Sequence, residues 1–289
     1  MKKTSPPSCE LPGGGKGKPL ESSMIYLQML HLECQSLDYV PVQEFSDFFI
    51  GDPFHTGFNV NIVTIDRVSA LHEACLGGHV ACAKVLLENG AQVNAVTVDG
   101  ITPLFNACCS GSAACVNMLL EFGATPQLEN HLASPIHEAV KRGHRECMEI
   151  LVANDVDIDH EDSQHGTPLY VACMYQRTDC VKKLLELGAS VDLGKRLDTP
   201  LHAAVRKSSA EAVNLLTDYG ASLTCRNAEL KCALDLAAPN SKVGQLLPLL
   251  IGHRNESQEI SVLFLALPLT AYVRAGKSLR FYVPQFPIY

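Results

Sequence analysis

Runs of basic residues are absent from the central part of this chain, and acidic residues outnumber basic ones. The 31 Asp and Glu residues against 23 Lys and Arg residues give a formal net charge of −8 at neutral pH. A nucleic-acid-binding surface needs a stripe of Lys and Arg side chains that neutralises phosphates. The charge balance therefore argues against nucleic acid as a partner.

Catalytic and cofactor motifs are also lacking. No nucleophile elbow of the form G-x-S-x-G occurs, and the stretch Gly13-Gly14-Gly15-Lys16 follows no predicted strand and lacks the spacing of a phosphate loop. The pairs His79/Cys82 and His144/Cys147 have a spacing seen at metal sites, but no four ligands converge to give the tetrahedral set that zinc needs. The sequence therefore predicts a protein that is not an enzyme, with no catalytic residue, cofactor or metal.

Long apolar runs are missing as well. The run from Ile260 to Val273 has 14 residues, short of the ~20 that a membrane-spanning helix needs. Because no secretory signal is visible, we expect a cytoplasmic location. The apolar stretches 24–32 and 260–273 leave attachment to the surface of an internal membrane as a weaker alternative, although neither carries a basic face.

What the sequence does contain is a hexapeptide repeated at a nearly constant step. It has the form Thr/Ser-Pro/Ala-Leu/Ile-His/aromatic-x-Ala. Copies begin at Ser69, Thr102, Ser134, Thr167 and Thr199, with a weaker one at Cys232, and the steps alternate between 33 and 32 residues. This motif and step resemble the ankyrin repeat, a β-turn followed by two helices. The sequence therefore predicts an all-α fold: an ankyrin-repeat solenoid of helix-turn-helix units with β-turn fingers, five full repeats and partial repeats at the ends.

Several positions of the repeat have a role that follows from residue type. Ser or Thr opens each first helix as an N-cap, and Pro follows at the first helical position, where its missing N–H is harmless. A small Ala in the motif lets neighbouring helices approach closely. Sixteen residues after each motif Ala lies a slot for positive φ, occupied by Gly90, Gly123, Asp155, Gly188 and Gly220.

Cysteine and histidine residues also recur in register with the repeat. Cys75, Cys108 and Cys173 follow the motif Ala, and Cys82, Cys115, Cys147 and Cys180 share one slot of the second helix. Such placement indicates small core hydrophobes, and we expect reduced thiols. The motif residues His72, His137 and His202 are predicted to bridge neighbouring backbones and so to be structural.

The chain divides into four predicted segments. Residues 1–23, rich in Pro, Gly, Ser and Lys, form a disordered leader, and residues 24–56 form an irregular N-terminal cap, with a flexible apolar leader as the alternative. Residues 57–253 form the ankyrin-repeat domain, and residues 254–289 a divergent tail. In the sixth repeat a first helix from Cys232 to Ala238 is expected, whereas Pro239, Gly244 and Pro248 are expected to interrupt the second.

The fingertips and the adjoining side of the first helices line one wall of such a stack, and we predict that this wall binds a protein. It combines acids, amides and a few bases. The candidate binding residues are Asp66, Arg67, Asp99, Glu129, Asn130, His131, His160, Asp162, Arg196 and Asp198. The alternative is that part of these fingertips is simply solvated.

Three segments extend the resemblance beyond a generic repeat. SALHEACLGGHVACAKVLLENGAQVNAVTVDGITPLFNAC, SPIHEAVKRGHRECMEILV and GTPLYVACMYQRTDCVKKLLELGASV are similar to the ankyrin repeat and SOCS box family, and the resemblance covers about residues 57–238. It implies that the repeats capture a substrate protein while a C-terminal SOCS box recruits elongin B/C and cullin-5. The chain would then be the substrate-recognition subunit of an E3 ubiquitin ligase.

The tail departs from that family's pattern. A SOCS box begins with a helix of the form Leu-x-x-x-Cys, but the last cysteine here is Cys232. Leu267-Pro268-Leu269 matches the cullin motif in two residues. We interpret the chain as a form with altered termini, and the alternative function is a non-catalytic scaffold that binds the substrate without ubiquitinating it.

Overall fold

A computed structural model describes residues 60–127, 134–238, 240–250 and 252. The predicted leader (1–23), N-terminal cap (24–56) and tail (254–289) lie outside the described residues. Their boundaries therefore stay predictions.

The described residues form a row of helix pairs, each pair belonging to one copy of the repeat. The first helices are α1 (Ala70–Leu76), α3 (Pro103–Ser110), α5 (Pro135–Arg142), α7 (Pro168–Met174) and α9 (Pro200–Arg206). The second helices are α2 (Val80–Glu88), α4 (Ala113–Glu121), α6 (Arg145–Ala153), α8 (Thr178–Glu186) and α10 (Ala210–Asp218), and α11 (Ala233–Leu236) opens the sixth repeat. The prediction of an all-α solenoid is confirmed.

The first helices begin where the hexapeptide predicts. Each starts one residue after a Ser or Thr in extended conformation, and Pro stands at the first position of α3, α5, α7 and α9. The hydroxyls of Thr102 and Thr167 accept a hydrogen bond from a backbone N–H of the first turn. Such a bond satisfies one of the four N–H groups that a helix start leaves without a partner.

The predicted slot for positive φ is also confirmed. The slot has φ between 83° and 94° where it is occupied by glycine, at Gly90, Gly123, Gly188 and Gly220. Asp155 has φ 62°. The second helix ends here, and the chain turns into the loop that leads to the next finger. Asp155 therefore holds a left-handed conformation that costs a residue with a Cβ roughly 1–2 kcal/mol.

We expect Asp155→Gly to raise the free energy of unfolding by about 1 kcal/mol, because glycine takes this conformation without strain. The matched change, Gly188→Ala, should lower it by a similar amount, since a Cβ at Gly188 meets no atom within 4 Å and adds strain alone. Urea denaturation of both variants measures the two effects. Equal stability of both variants and the parent would contradict this account.

The core is one continuous layer between helices of adjacent repeats. First helices pack on first helices and second helices on second helices, so that α5 lies between α3 and α7. The motif alanines are all buried: Ala74, Ala107, Ala139, Ala172 and Ala204. Leu residues of both helices fill the remaining space. Because no repeat could hide its apolar face alone, the stack is the folding unit.

Thiols of the repeat lie in this core as predicted. Cys75, Cys108, Cys115, Cys147, Cys173 and Cys180 are buried and free. Burial raises the pKa of the Cys147 and Cys180 thiols to about 11, so they stay protonated at neutral pH. Cys82, which shares the second-helix slot of Cys115, Cys147 and Cys180, is equally buried.

A ladder of side-chain amides and carboxylates ties the loops after the second helices together. Asn61, Asn94, Asp159 and Asp192 each accept a hydrogen bond from a backbone N–H of the next repeat, at N–O distances of 2.8–2.9 Å. These bonds give the loop N–H groups a partner within the chain. They fix the distance between repeats on the side where the fingers begin.

The prediction of an interrupted second helix in the sixth repeat is wrong. The first helix is short, Ala233–Leu236, but residues 242–250 are helical and include Gly244 and Pro248. Val243 and Leu247, four residues apart on one face, are buried against the stack. Pro248 is exposed, so water can replace the helical bond that its missing N–H forfeits. Burial of the apolar face thus outweighs the proline.

Candidate functional site

The candidate site is built from fingers, which are tight turns directly before the first helices. We number them by repeat: finger 1 (64–68), finger 2 (97–101), finger 4 (162–166), finger 5 (194–198) and finger 6 (227–231). Backbone bonds close them, for example from Thr97 N to Ile101 O at 3.0 Å and from Asp162 N to Gly166 O at 3.0 Å. The third finger falls in residues 128–133, outside the described residues.

Motif histidines hold three of these fingers in place. The Nε2 atoms of His72, His137 and His202 lie 3.1, 2.8 and 3.1 Å from the carbonyl oxygens of Ile101, Gly166 and Lys231. Since a carbonyl oxygen can only accept, Nε2 carries the proton, and Nδ1 accepts from the Ser or Thr hydroxyl three residues earlier. The prediction that these histidines are structural is confirmed.

In α7 a tyrosine replaces the histidine. The hydroxyl of Tyr170 donates to a carboxylate oxygen of Asp198 at 2.8 Å, and the guanidinium of Arg206 donates to the other oxygen. Burial and the hydrogen bond to Asp198 raise the pKa of Tyr170. Asp198 is therefore a structural residue of finger 5, and its carboxylate is engaged within the chain.

Neighbouring fingers are also joined to each other. Val98 N donates to Asp66 O at 3.0 Å, which links fingers 1 and 2. Arg196 N donates to the carboxylate of Glu161 at 3.2 Å, and the Lys195 ammonium donates to Gln164 O, which link fingers 4 and 5. The fingertips are consequently held in a fixed row before any partner is bound.

Four of the predicted binding residues stand at the exposed tips of this row. They are Asp66 and Arg67 on finger 1, Asp99 on finger 2 and Arg196 on finger 5. Within the described part of the chain, their side chains have no ion-pair partner. These side chains are available to a bound protein.

Two further candidates are turned inward. Asp162 is buried, and its carboxylate accepts from Gln164 N at 2.9 Å and from the His165 ring. His160 is half-buried, accepts from the Gln127 amide at 3.1 Å and lies edge-on to His137 with ring centroids 6.0 Å apart. Both therefore support the wall from behind. Glu129, Asn130 and His131 lie outside the described residues.

Exposed aliphatic side chains at the fingertips were missed by the sequence reasoning. Ile65, Val98, Leu197 and Leu230 are 79%, 65%, 63% and 73% exposed. All four lie two or four residues before the N-cap of the next helix, between polar neighbours. An aliphatic residue at this point of a turn cannot reach the core. Its position relative to the N-cap is therefore the sequence signal that could have identified it as exposed.

Backbone strain adds to the case for the fingertips. Arg67 and Leu230 have φ 62° and 58°, whereas the equivalent residue of finger 2 is Gly100, with φ 78°. A non-glycine residue in this conformation costs about 1–2 kcal/mol. Such strain persists at positions whose side chain has a use, and it clusters at binding sites.

A small cavity of about 160 Å³ opens on the same wall beside finger 4. Phe105 and Val171 form its apolar sides. Its polar lining consists of Ser134, His137, Glu138, Lys141, Asp162 and His165. The cavity is large enough for one side chain of a bound protein.

Glu138 is, with Asp162, one of two buried carboxylates that line this cavity. Burial by itself would raise the pKa of its carboxyl, but the bond from Arg142 Nε at 2.5 Å and the charges of Lys141 and Arg142 outweigh burial and lower it. The carboxylate is therefore ionised and already partnered at neutral pH. It shapes the cavity and has no free reactive role.

Metal-binding clusters and membrane-spanning helices are both absent from the described part of the chain. No group of three or more His, Cys, Asp or Glu residues there could hold a metal ion. Within the same residues, every helix is too short or too polar to cross a bilayer.

Family models match most of the repeat region. A model described as Ankyrin repeats (3 copies) matches residues 47–130 and 127–195, and a model described as Ankyrin repeat matches residues 196–228.

Among curated proteins, the chain is 78% identical to human Ankyrin repeat and SOCS box protein 11 over 124 residues, which is 43% of this chain and 38% of that protein. It is 57% identical to mouse Ankyrin repeat and SOCS box protein 9 over 122 residues, 42% of either chain. It is 56% identical to mouse Ankyrin repeat and SOCS box protein 5 over 121 residues, 42% of this chain and 37% of the other. The chain thus spans about two fifths of the length of these relatives.

Among solved structures, the crystal structure of the human ASB11 ankyrin repeat domain is similar with a TM-score of 0.69 and 67% identity, covering 81% of this chain and 98% of that one. The ankyrin repeat domain of Bcl-3 is similar with a TM-score of 0.58 at 23% identity, covering 78% and 96%. The second likeness concerns the fold alone.

Proposed function

Because the chain belongs to the ankyrin-repeat family, and its repeats to the ankyrin repeat and SOCS box branch, we propose that it captures a target protein on its finger row. By the same resemblance we propose that it does so as the substrate-recognition subunit of an elongin B/C–cullin-5 ubiquitin ligase, in the cytoplasm. One observation carries the proposal. Charged and aliphatic fingertips without internal partners are held outward on a row that internal hydrogen bonds fix.

The composition of this row favours a protein as the ligand. Protein interfaces combine apolar area with charged and polar groups, and the tips alternate aliphatic residues such as Ile65 and Leu197 with Asp66, Asp99 and Arg196. Because hydrogen bonds link finger 1 to finger 2 and finger 4 to finger 5, little conformational freedom of these fingers would be lost on binding. The cavity beside finger 4 offers a place for one anchoring side chain.

We further propose that the chain has no catalysis of its own. The motif histidines use both ring nitrogens in structural bonds, as described above. Burial raises the pKa of the Cys75 and Cys108 thiols well above the usual value, and a protonated buried thiol is a poor nucleophile. These groups favour an adaptor.

The alternative is a scaffold that binds the target without ubiquitinating it. It is favoured by residues 253–289, which contain no cysteine and so no Leu-x-x-x-Cys pattern. Co-elution of the purified full chain with purified elongin B/C decides between the two, with a protein that has an intact SOCS box as the positive control. Co-elution supports the ligase subunit, and its absence while the control binds leaves the scaffold.

Substitutions at the tips test the binding face itself. Asp99→Ala and Arg196→Ala are each expected to change the free energy of unfolding by less than about 0.5 kcal/mol, because both side chains are exposed and unpaired. Each should reduce several-fold the amount of specific proteins that the immobilised chain retains from cell extract, quantified by mass spectrometry. Asp198→Ala, which removes the partner of Tyr170 and Arg206, should instead cost about 1–3 kcal/mol of stability.

The matched control is Glu121→Ala, at the exposed end of α4 and away from the fingers. It should retain the same proteins as the parent. If the two tip variants also retain them unchanged, the finger row is not the binding face.

A further inference from the structure

The second helices end at an acidic edge of the stack. The last residues of α2, α4, α8 and α10 are acidic and exposed: Glu88, Glu121, Glu186 and Asp218. A carboxylate at the C-terminal end of a helix lies at the negative pole of the helix dipole, which disfavours it. Among the five second helices that the structure describes, the only base in a last turn is Lys183 of α8. Helix stability therefore does not account for this repeated placement.

Large apolar side chains lie next to these carboxylates. Phe122, Leu187 and Tyr219 each follow the last residue of a second helix, and they are 41%, 41% and 48% exposed. Helices α8 and α10 are in contact, so Glu186 and Leu187 lie beside Asp218 and Tyr219. We call these four residues the helix-end face. Exposed apolar groups together with charges are typical of interaction surfaces.

The helix-end face carries negative charge that is only partly compensated. Glu186 lies 3.7 Å from Lys183, whereas Asp218 has no ion pair among the described residues. In the loops after α6 and α8, the exposed residues Asp155 and Asp192 add to the negative charge. An occupant of this face should therefore be basic and should bring apolar side chains of its own.

The chain leaves the stack at this same edge. Residues 242–250 form the second helix of the sixth repeat, and Val243 and Leu247 are buried against the stack. Because the second helices of a stack run in the same direction, this helix ends beside the end of α10. Adjacent helices pack about 10 Å apart, so the end of α8 lies only about 20 Å away.

Residues 274–289, which we call the basic segment, have the composition that this face requires. The segment contains three bases: Arg274, Lys277 and Arg280. It also contains four aromatic residues: Phe281, Tyr282, Phe286 and Tyr289. No Asp or Glu occurs in the sequence after Glu259. The 23 residues 251–273 that precede it span about 25 Å as a flexible chain, which is enough to reach the ends of α10 and α8.

We propose that the basic segment binds the helix-end face of its own chain. Its cationic side chains lie against Glu186 and Asp218, and its aromatic side chains lie against Leu187 and Tyr219. A guanidinium also stacks favourably on the ring of Tyr219. Because the linker holds the segment at an effective concentration of about 1 mM, the segment of the same chain is favoured over that of a second copy.

This contact leaves the finger row free, because the fingers precede the first helices and the helix-end face follows the second helices. It covers apolar side chains that are otherwise exposed to water. The inference goes beyond the proposed function, since capture of a target depends on the fingertips and does not require the basic segment.

Carbodiimide coupling of the full chain tests the proposal, because it joins a Lys amine to a carboxylate where the two are in contact. We expect Lys277 to be joined to Glu186 or Asp218 in the monomeric product, as identified by mass spectrometry of its peptides. Glu211 is also exposed but lies at the opposite end of α10, so it should stay unjoined. The yield should fall when NaCl is raised from about 0.05 M to about 0.5 M, since the screening length falls about threefold.

Charge reversal within the basic segment tests the electrostatic part of the contact. Arg274→Glu with Arg280→Glu keeps Lys277 as the reporter but sets like charges against the face, so the yield should fall at least about fivefold. The matched control is Lys2→Glu with Lys3→Glu, which makes the same change in net charge in another part of the chain. The control should couple like the parent.

The apolar part of the contact is tested at Tyr219. Tyr219→Ser removes the ring from the helix-end face and should lower the yield about threefold. Tyr175→Ser is the matched control, because Tyr175 is similarly exposed, at 44%, but follows the first helix α7 at another edge of the stack. This second variant should couple like the parent.

A mixture of isotope-labelled and unlabelled chains identifies the occupant. Products that join a labelled to an unlabelled chain at this face would show that a second copy binds there and would overturn the proposal. It would also be overturned by the absence of a product between Lys277 and the face, by equal joining of Glu211, or by an unchanged yield after reversal of Arg274 and Arg280. Retention of targets by the fingertip variants is measured separately, so either proposal can fail while the other stands.

Discussion

Ala139→Asp is expected to destroy cooperative folding in the middle of the stack, lowering the free energy of unfolding by about 4 kcal/mol. Ala139 lies in α5 and has no exposed surface. Its helix is enclosed by α3 and α7, which approach closely because the motif residue is small. An ionised carboxylate at this position would be removed from water between packed helices. Urea unfolding followed by far-ultraviolet circular dichroism measures the loss.

Two variants make the result specific. Ala153→Asp places the same carboxylate at the exposed last residue of α6 and should cost under about 1 kcal/mol, mainly through the helix dipole. Ala139→Ser adds a small polar group without charge and should fall between the two. If Ala139→Asp unfolds at the same urea concentration as the parent, the close approach of α5 to its neighbours is not what holds the repeats together.

The helices could be predicted from the sequence because each signal is local. The N-cap hydroxyl, the Pro that follows it and the positive-φ slot at Gly188 act within a few residues, and the 33-residue step repeats them. The motif Ala is buried because every copy faces the next. The prediction that the second helix of the sixth repeat is interrupted failed, because that helix depends on packing against the stack. Burial of Val243 and Leu247 keeps residues 242–250 helical despite Pro248.

The candidate site was predicted only in part, because register within the finger decides which side chains are displayed. Residues five positions before the N-cap, such as Thr97 and Asp162, accept a backbone N–H of their own turn and are buried. Residues three positions before it, such as Asp99 and Arg196, point to solvent. Both positions carry acids, so composition alone could not separate them, whereas aligning the fingers on the N-cap does.

The inward position of Asp198 has a different cause. It lies one residue before the N-cap, where a first-helix histidine would bond to the backbone carbonyl, but α7 has Tyr170 instead. The longer tyrosine side chain reaches the carboxylate, and Arg206 completes the pair. This arrangement depends on two residues of different repeats, which a single finger sequence does not reveal.

The second large effect concerns pH, and it arises at His137. Its Nε2 donates to Gly166 O and its Nδ1 accepts from Ser134, so the folded chain holds the neutral ring. Burial lowers the pKa of His137 to about 4, against about 6.5 in an unfolded chain. Between these values the unfolded state binds a proton that the folded state does not. Stability is therefore complete above about pH 6.5 and falls by about 3 kcal/mol as the pH drops to about 4.

His137→Gln isolates this contribution, because the glutamine amide can donate to Gly166 O and does not titrate. Denaturation of both chains across this pH range gives the difference in free energy of unfolding, from which the titration of the shared acidic residues cancels. That difference should shift by about 3 kcal/mol in favour of the variant as the pH falls. Burial also lowers the pKa of His72. The free energy of unfolding of both the parent and the variant should therefore show a further decrease as the pH falls. A difference independent of pH would mean that His137 is open to water and that finger 4 is not held by it.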